Sequence, residues 1–533
     1  MKIFCYILFI SINLFSQGPL GYELYRGVDM NTTFEEGVHH NSIRHIKELN
    51  NKLFIATSSG LGYLDITDPT SPNYYNINNE NLPSGGIPAL KLYETNQGAS
   101  IFTSGITSTY ESADEKYHHR GTGISWSLDS GNSWNYSPQP TDEGNVGSYM
   151  LVDWYDKTFT KKVWHTTVDN VSYDIAADIE NSYVYAPLWG CGLKRLDYSN
   201  DESVWETIPL PLDTQDSLKC DEPFPSGYKY DPSTDGTGSY NHGVFSIFID
   251  QNIIWAGTAG GINKGIINEN NCIDWYHYND DDGLAGNWVV GIYSQNINGK
   301  DRLWAISWTQ PDAPHSLSYT DNEGLSWNRV GQFEELGLIV YNLFLDDDNT
   351  LLASTNKGVY ISNDDGNFWY KLLIGIDSST GEQLIYDKVL SAILFDVDSY
   401  VVGTSDGLAV SVDSGDNWDV IRSWNEAVGH NISSSFNAYP NPLYKNSNSS
   451  VFYSNGITRF IFSNPNQQAC SIDIYDFAMD HVIQLSNYSI IGSQSEIIWD
   501  GKSSSNIDVS NGAYFCRLNL NDREFWTKVL VVN

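Results

Sequence analysis

Short runs of hydrophobic residues alternate with polar turns along most of this chain. One segment shows the unit, with apolar runs at Leu343–Leu345, Leu351–Ala353 and Val359–Ile361 separated by turns rich in Asp, Asn and Gly. A fourth run, Trp369–Leu372, completes it. Runs this short between turn residues predict four strands in one antiparallel meander.

The unit recurs at a regular interval. Its second strand is marked in seven successive copies by Phe54, Ile101, Val184, Ile254, Leu303, Leu352 and Val402. The last four of these residues are spaced 49, 49 and 50 residues apart. A period near 50 residues with four strands per repeat is typical of a β-propeller. We therefore predict an all-β protein with a seven-bladed β-propeller over residues 19–430.

Two insertions, near residues 138–170 and 208–242, lengthen the spacing between the early copies. The second is polar and rich in Pro and Gly, and long loops on a rigid scaffold often carry function. Together with Trp189 and Trp308, which the repeat places near strand ends, it forms our candidate ligand-binding region. Packing in the core is the alternative role for both tryptophans.

Four turns late in the repeats share the pattern Ser/Thr-x-Asp/Asn-x-Gly-x-x-Trp. The Asp can accept bonds from local amides, Gly tolerates positive φ, and Trp covers the turn. The pattern resembles the Asp-box of BNR repeats, and we expect its residues to be structural. They are Ser127, Asp129, Gly131 and Trp134; Thr320, Asn322, Gly324 and Trp327; Ser362, Asp364, Gly366 and Trp369; and Ser411, Asp413, Gly415 and Trp418.

Part of the chain also resembles the periplasmic propeller repeat of two-component regulators. Asp282-Gly283-Leu284, Asn287, Val289 and Leu303-Trp304 match that repeat in order. The resemblance is loose, covers much of residues 40–360, and implies a propeller outside the cytoplasm.

The pattern changes after about residue 435. Alternation around Ile472 and Ile474 predicts strands of a small sandwich. The segment contains Tyr439-Pro440-Asn441-Pro442, Trp499-Asp500-Gly501 and a strand with Gly512 and Tyr514-Phe515. These motifs resemble those of FlgD-like immunoglobulin-type folds and of type A sorting domains of the type IX secretion system. The resemblance implies that residues 437–533, after a linker at 431–436, engage the secretion machinery. The matching residues are Tyr439, Pro440, Asn441, Pro442, Trp499, Asp500, Gly501, Gly512, Tyr514, Phe515 and Lys528.

The first residues have the form of a secretory signal peptide. Lys2 precedes an apolar run at Ile3–Phe15, and small or polar residues follow up to Gly18. The run is shorter than the roughly 20 residues that span a bilayer. We expect residues 1–18 to be removed, no transmembrane segment in the mature protein, and a secreted or cell-surface location.

The net charge of −37 restricts the class of partner. A surface this acidic repels phosphate backbones and anionic membranes, so we do not expect nucleic acid as a ligand.

Five cysteines remain beyond the signal region, at positions 191, 220, 272, 470 and 516. An odd number allows at most two disulfides. The first candidates are Cys470 with Cys516 and Cys191 with Cys220. Burial of all five as free thiols is the alternative.

The residues select no catalytic site. Sialidases carry Asp-boxes but also need an arginine triad and an Arg-Ile-Pro motif, and no Arg-Ile-Pro occurs here. Other glycosidases need two carboxylates across the scissile bond, and none of the 66 acidic residues forms a distinctive pair in the sequence.

No cofactor or metal ligand is assigned either. The pairs His39-His40 and His118-His119 are adjacent residues, which point to opposite faces of a strand. Structural calcium stays open at 280–283 and 346–349, although neither turn has the EF-hand spacing.

These observations favour a non-catalytic extracellular or cell-surface propeller that binds a glycan or protein ligand. The alternatives are a secreted glycoside hydrolase, sialidase-like or polysaccharide-degrading, with an axial pair of carboxylates, and a structural adhesin.

Overall fold

The computed structural model describes most of the chain beyond residue 40. The described residues are 41–68, 73–95, 98–112, 116–145, 147–200, 202–233, 236–308, 316–346, 350–375, 384, 388–396, 398–421, 436–439, 441–445, 456–463, 469–487, 494–520 and 523–532. The predicted signal peptide, His39-His40, Pro440 and the predicted linker up to residue 435 lie outside them.

Seven antiparallel sheets, numbered 1 to 7 here, follow one another along the described part of the chain. Sheets 1 to 4 contain Ile43–Leu49, Lys52–Thr57, Gly60–Asp65 and Asn73–Asn76; Gly86–Thr95, Gly98–Glu111, Lys116–Ser127 and Asn135–Ser137; Ala176–Asp178, Tyr183–Leu188, Gly192–Asp197 and Glu206–Thr207; and Val244–Asp250, Ile253–Thr258, Ile262–Ile267 and Ile273–Tyr278. Sheets 5 to 7 contain Trp288–Ile297, Lys300–Trp308, Ser316–Thr320 and Asn328–Arg329; Val340–Leu345, Leu351–Thr355, Gly358–Ser362 and Tyr370–Leu372; and Val389–Asp396, Ser399–Thr404, Gly407–Ser411 and Asp419–Ile421. Sheet 4 gains a fifth strand, Ser217–Leu218.

The first strands of neighbouring sheets pack against one another, and the series closes on itself. Ile43 and Ile46 of sheet 1 share a buried cluster with Ile393 and Val401 of sheet 7. The Ile46 amide also donates to Ser391 Oγ at 3.0 Å. A closed series of small meander sheets with their first strands innermost is the arrangement of a β-propeller.

The turn at Ser362 shows how the Asp-box pattern organises a hairpin. Ser362 Oγ donates to Asp364 Oδ1 at 2.8 Å and accepts from the Gly366 amide at 2.9 Å. Asp364 Oδ1 also accepts from the Phe368 amide at 2.9 Å, and Trp369 Nε1 donates to the Gly366 carbonyl at 3.0 Å. These bonds, first that from the Phe368 amide, lower the pKa of Asp364.

The other three turns repeat most of this network. Both carboxylates, Asp129 and Asp413, accept from a backbone amide four residues later at 2.8 Å. Asn322 accepts in the same way at 3.0 Å. In that fourth turn, however, the buried Trp327 Nε1 has no hydrogen-bond partner among the described residues.

The two insertions pair with each other. Strands Tyr149–Trp154 and Lys157–Lys162 form a hairpin, and Lys229–Tyr230 adds to it in parallel. Cys220 forms a disulfide with Cys272, beside the last strand of sheet 4. The expected Cys191–Cys220 pair was therefore wrong. Cys191 is instead a buried free thiol that lies against Asn170, whose side-chain amide is 3.3 Å from the sulfur.

The last segment forms two sheets around a common core. The three-stranded sheet contains Phe436–Tyr439, Thr458–Ser463 and Gln494–Trp499; the five-stranded sheet contains Leu443–Tyr444, Cys470–Tyr475, His481–Asn487, Gly512–Leu520 and Arg523–Val532. Phe460 and Trp499 from the first sheet pack with Ile472 and Val529 from the second.

The expected Cys470–Cys516 disulfide was also wrong. Cys516 pairs with Ile474 across the strands, whereas Cys470 pairs with Leu520, four positions away along the strand. Both thiols are buried and free.

Helices are few in the described residues: one α-helix, Gly331–Leu336, and 3₁₀-helices at Tyr240–His242 and Asp280–Asp282. None of the helices described has the length and apolar character needed to cross a membrane. The acidic turn at Asp280–Asp282 is capped by Asn279, whose side chain accepts from the Asp281 amide at 2.8 Å.

Candidate functional site: the axial cavity

A cavity of about 100 Å³ lies where the innermost strands converge. Residues from the first strands of sheets 1, 2, 5, 6 and 7 line it, together with Tyr173 and Asp174 just before sheet 3. Most of these residues come from the amino-terminal halves of their strands, whereas Lys47 and Lys91 come from just beyond the middle, so the cavity extends from the amino-terminal end to the middle of the axis.

Positive side chains dominate the lining. Arg44, Lys47 and Lys91 face a single carboxylate, Asp174. Lys91 Nζ lies 3.9 Å from Asp174 Oδ1, with the two side chains 23% and 18% exposed. Asp174 also accepts from the amides of Ile175 and Ile247, both at 2.9 Å. The cavity is therefore cationic inside a protein whose net charge is −37.

Lys47 is the cation without a local partner. Its half-buried side chain has no hydrogen bond or salt bridge to any described residue, and Asp174 acts on it only through space. Burial, and next the charge of Lys91, lower the pKa of Lys47 to about 8. An ammonium held in this way is stabilised when an anion enters the cavity.

A hydrogen-bond chain fixes the opposite wall. The Tyr293 hydroxyl donates to Asn342 Oδ1 at 3.0 Å, and Asn342 Nδ2 lies 3.2 Å from His45 Nδ1. His45 Nε2 is 2.7 Å from the Pro88 carbonyl. Because a carbonyl only accepts, we assign the proton to Nε2 and the acceptor role to Nδ1.

His45 is therefore neutral at physiological pH. Burial, followed by the charge of Lys47, lowers its pKa to about 3. His45 therefore contributes a neutral polar group to the wall of the cavity. The chain of hydrogen bonds from Tyr293 to Pro88 connects four different strands and makes the lining rigid.

The other end of the axis has the opposite charge. Glu48, Asp346 and Asp396 lie at or next to the carboxyl ends of the first strands of sheets 1, 6 and 7. Burial raises the pKa of Glu48, and the charges of Asp396 and Asp346 add to the shift. The axis thus runs from a cationic cavity to an acidic rim.

The two predicted binding tryptophans lie in different places. Trp308 lines the cavity, is 4% exposed, and donates from Nε1 to the Val340 carbonyl at 2.9 Å. Trp189 is also 4% exposed and stacks on Phe245 with centroids 4.9 Å apart. Neither presents an open face, and Trp189 is not part of the cavity lining.

Sequence reasoning did not find the cationic residues. Arg44, Lys47 and Lys91 occur in unremarkable strand patterns, and only the packing of the first strand of sheet 1 against the first strand of sheet 2 brings them together. An available signal was the position of Lys47 and Lys91 in the segments just before the predicted second strands at Phe54 and Ile101, where a strand buried at the axis usually has apolar residues.

The described cavity lining does not contain a pair of carboxylates. Asp174 stands alone there, and its oxygens are occupied by two backbone amides. Within the residues that the structure describes, no group of three or more His, Cys, Asp or Glu side chains is placed to hold a metal ion.

The sorting-motif residues that are described lie in the C-terminal sandwich. Asn441 joins its start to its last strand, since Nδ2 donates to the Lys528 carbonyl at 2.8 Å and Oδ1 accepts from the Leu530 amide at 3.0 Å. Trp499 is fully buried and donates to the Lys502 carbonyl at 2.9 Å. Gly501 has a φ of +70°, which explains a glycine in that turn.

Comparison with known proteins identifies no family. No protein-family model matches the chain, and no curated protein matches it. Among solved structures, PorZ of the type IX secretion system of Porphyromonas gingivalis is 12% identical over 92% of this chain and 66% of its own, with a TM-score of 0.33. This chain thus spans slightly less than two thirds of that structure.

Two further structures show the same level of similarity. An ancestral GH74 enzyme is 14% identical over 93% of this chain and 62% of its own, with a TM-score of 0.47. The extracellular domain of a protein described as a one-component system from B. thetaiotaomicron is 13% identical over 94% and 81%, with a TM-score of 0.29. These values do not assign a function.

Proposed function

We propose that this chain is an exported, non-catalytic seven-bladed β-propeller that binds its ligand at the axial cavity. The observation that carries the proposal is the unpartnered ammonium of Lys47 in a rigid cavity at the innermost strands. Seven sheets of four-stranded meander, each matching one copy of the sequence repeat, support the blade count.

The residues that line the cavity support a role in binding rather than catalysis. A glycosidase needs an acid and a base or nucleophile on opposite sides of one bond, about 5–10 Å apart. The lone carboxylate of Asp174 is held by two amides and a lysine, so it cannot supply both roles.

Export is supported by two independent features. The start of the chain resembles a signal peptide, and the Cys220–Cys272 disulfide is of the kind that persists in oxidising compartments. The C-terminal sandwich completes the proposal as a FlgD-like, immunoglobulin-type sorting module that engages the type IX secretion machinery and brings the propeller to the cell surface or the medium.

A glycan array on the full mature chain, with and without calcium, tests the binding role, and mass analysis of the bound glycans tests for turnover. We expect retained, uncleaved ligand. Release of shortened glycan would show a hydrolase. In the native host, the protein should be found at the surface or in the medium, and retention of the intact chain inside the cell would contradict the sorting role.

A further inference from the structure

We infer that the axial cavity binds a carboxylate group of the ligand, with Lys47 as its counter-ion. This inference rests on the proposed function, because it names the chemical group that enters the site proposed there.

The size of the cavity selects a small group. About 100 Å³ accommodates a few water molecules or a carboxylate, whereas pockets that enclose drug-sized ligands have about 300–1,000 Å³. The sugar ring or peptide that carries the carboxylate must therefore stay at the mouth of the cavity, while the carboxylate itself reaches Lys47.

The partners of the lining cations, together with the carboxylate of Asp174, favour a monoanion at Lys47. Lys91 forms an ion pair with Asp174, and Arg44 Nε donates a hydrogen bond to Ser58 Oγ at 3.0 Å. The Ser58 hydroxyl is neutral, so Arg44 keeps its charge, but Lys47 is the cation that has neither an ion pair nor a hydrogen bond to a described residue. A phosphate or sulfate dianion would meet the carboxylate of Asp174 in the same small space, and repulsion between them favours a monoanion.

The charges at the two ends of the propeller axis favour entry of an anion from one end. The acidic rim of Glu48, Asp346 and Asp396 repels anions at the carboxyl ends of the strands. At the opposite mouth, just before sheet 7, Lys388 Nζ lies 5.8 Å from the centre of the Tyr341 ring, and Tyr341 lines the cavity. A carboxylate therefore enters from the amino-terminal mouth.

Binding should be linked to the protonation of Lys47. The groups that face it are Arg44, His45, Lys91, Tyr173, Asp174, Tyr293 and Tyr341. Of these, His45 has a pKa of about 3 and Tyr293 a raised pKa, so neither titrates between pH 7 and 9. With a pKa of about 8, Lys47 loses about nine tenths of its charge over that range, and affinity should fall about tenfold.

Isothermal titration of the full mature chain tests this with two matched pairs of probes. Glucuronate against glucose reports a sugar carboxylate, and acetyl-dialanine with a free carboxyl against its C-terminal amide reports a peptide carboxylate. Inorganic phosphate and sulfate complete the set. We expect one acidic probe to bind at least tenfold more tightly than its neutral partner and more tightly than either inorganic anion.

Three variants separate the role of Lys47 from general charge. Lys47→Met should lose at least tenfold in affinity and be at least as stable as the wild type, since it removes a half-buried charge that opposes folding. In Lys47→Arg the side chain stays charged at pH 9, so the affinity of this variant for the acidic probe should no longer fall between pH 7 and 9. Lys300→Met removes an exposed charge from the end of a strand and should change affinity less than twofold.

The outcomes distinguish the two proposals. Equal affinity for acidic and neutral probes, tighter binding of phosphate, unchanged binding by Lys47→Met, or no binding of any acidic probe to folded protein would overturn the carboxylate assignment. The proposed function fails on a different result, namely turnover of glycans or absence of any ligand on the array.

Discussion

The charged ammonium of Lys47 destabilises the folded protein, and the proposed ligand would offset that effect. Its pKa in the folded protein, about 8, is below the unfolded value of about 10.5. The unfolded chain therefore binds more protons between these two pH values, and the unfavourable contribution of the charge is complete below pH 8 and relieved as pH rises towards 10.5. Residues that destabilise the folded state in this way are typical of functional sites.

Two tryptophans of the hairpin turns allow a matched test at the residue scale. Both Trp369 and Trp327 are buried, at 1% and 6% exposure. Only Trp369 donates from Nε1, to the Gly366 carbonyl at 3.0 Å, whereas Trp327 Nε1 has no described partner. Trp369→Phe should therefore cost about 1 kcal/mol more than Trp327→Phe in urea unfolding. Equal losses would contradict this role of the indole N–H.

How well a residue could be predicted depends on whether its contacts are local. The Asp364 carboxylate bonds to atoms within four positions in the chain, so the motif itself contains the geometry. Lys47 and Lys91 lie near each other only because the first strands of sheets 1 and 2 pack together, and Asp174 reaches them from the segment just before sheet 3. The sequence shows each lysine as a charge inside a strand pattern, but it carries no signal that both lie close to Asp174.

The sequence predicted the strands of the seven sheets more completely than it predicted the structure of the two insertions. A repeat of about 50 residues predicts the strands, because each meander is formed by segments that follow one another in the chain. The parallel pairing of Lys229–Tyr230 with Lys157–Lys162 joins two insertions that are far apart in the chain. Short polar strands of this kind have too weak a pattern to predict a partner.

The disulfide provides a test at the scale of an element. Cys220 and Cys272 are 52 positions apart and tie the second insertion to sheet 4. Replacing both with Ala should lower the free energy of unfolding by about 2–4 kcal/mol, since the unfolded chain gains freedom. Reductant should have the same effect on the wild type and none on the variant. A reductant effect that persists in the variant would contradict the assigned pairing.

At the scale of the whole molecule, one ion pair joins the propeller to the C-terminal sandwich. Arg459 donates to Asp406 in two bonds, one from Nη1 at 2.7 Å and one from Nη2, and the side chains are 1% and 6% exposed. Asp406 lies in the turn between the second and third strands of sheet 7. The bond therefore couples the two parts mechanically.

Arg459→Ala leaves a buried carboxylate without its partner, which typically costs about 3–5 kcal/mol. We expect calorimetry to show the sandwich unfolding at a lower temperature than the propeller in this variant. Arg523→Ala removes the same charge from an exposed position in the sandwich and should leave the transition unchanged. Identical profiles for the two variants would show that the pair does not couple the domains.

The most direct test of the account measures the pKa of Lys47 itself. In protein with ¹³C-labelled lysine side chains, the Lys47 signal is identified by its loss in Lys47→Arg and followed from pH 6 to 11. The account predicts a pKa near 8 in the free protein and a clear rise when a carboxylate probe binds. A pKa near 10.5 that does not respond to any acidic probe would contradict it.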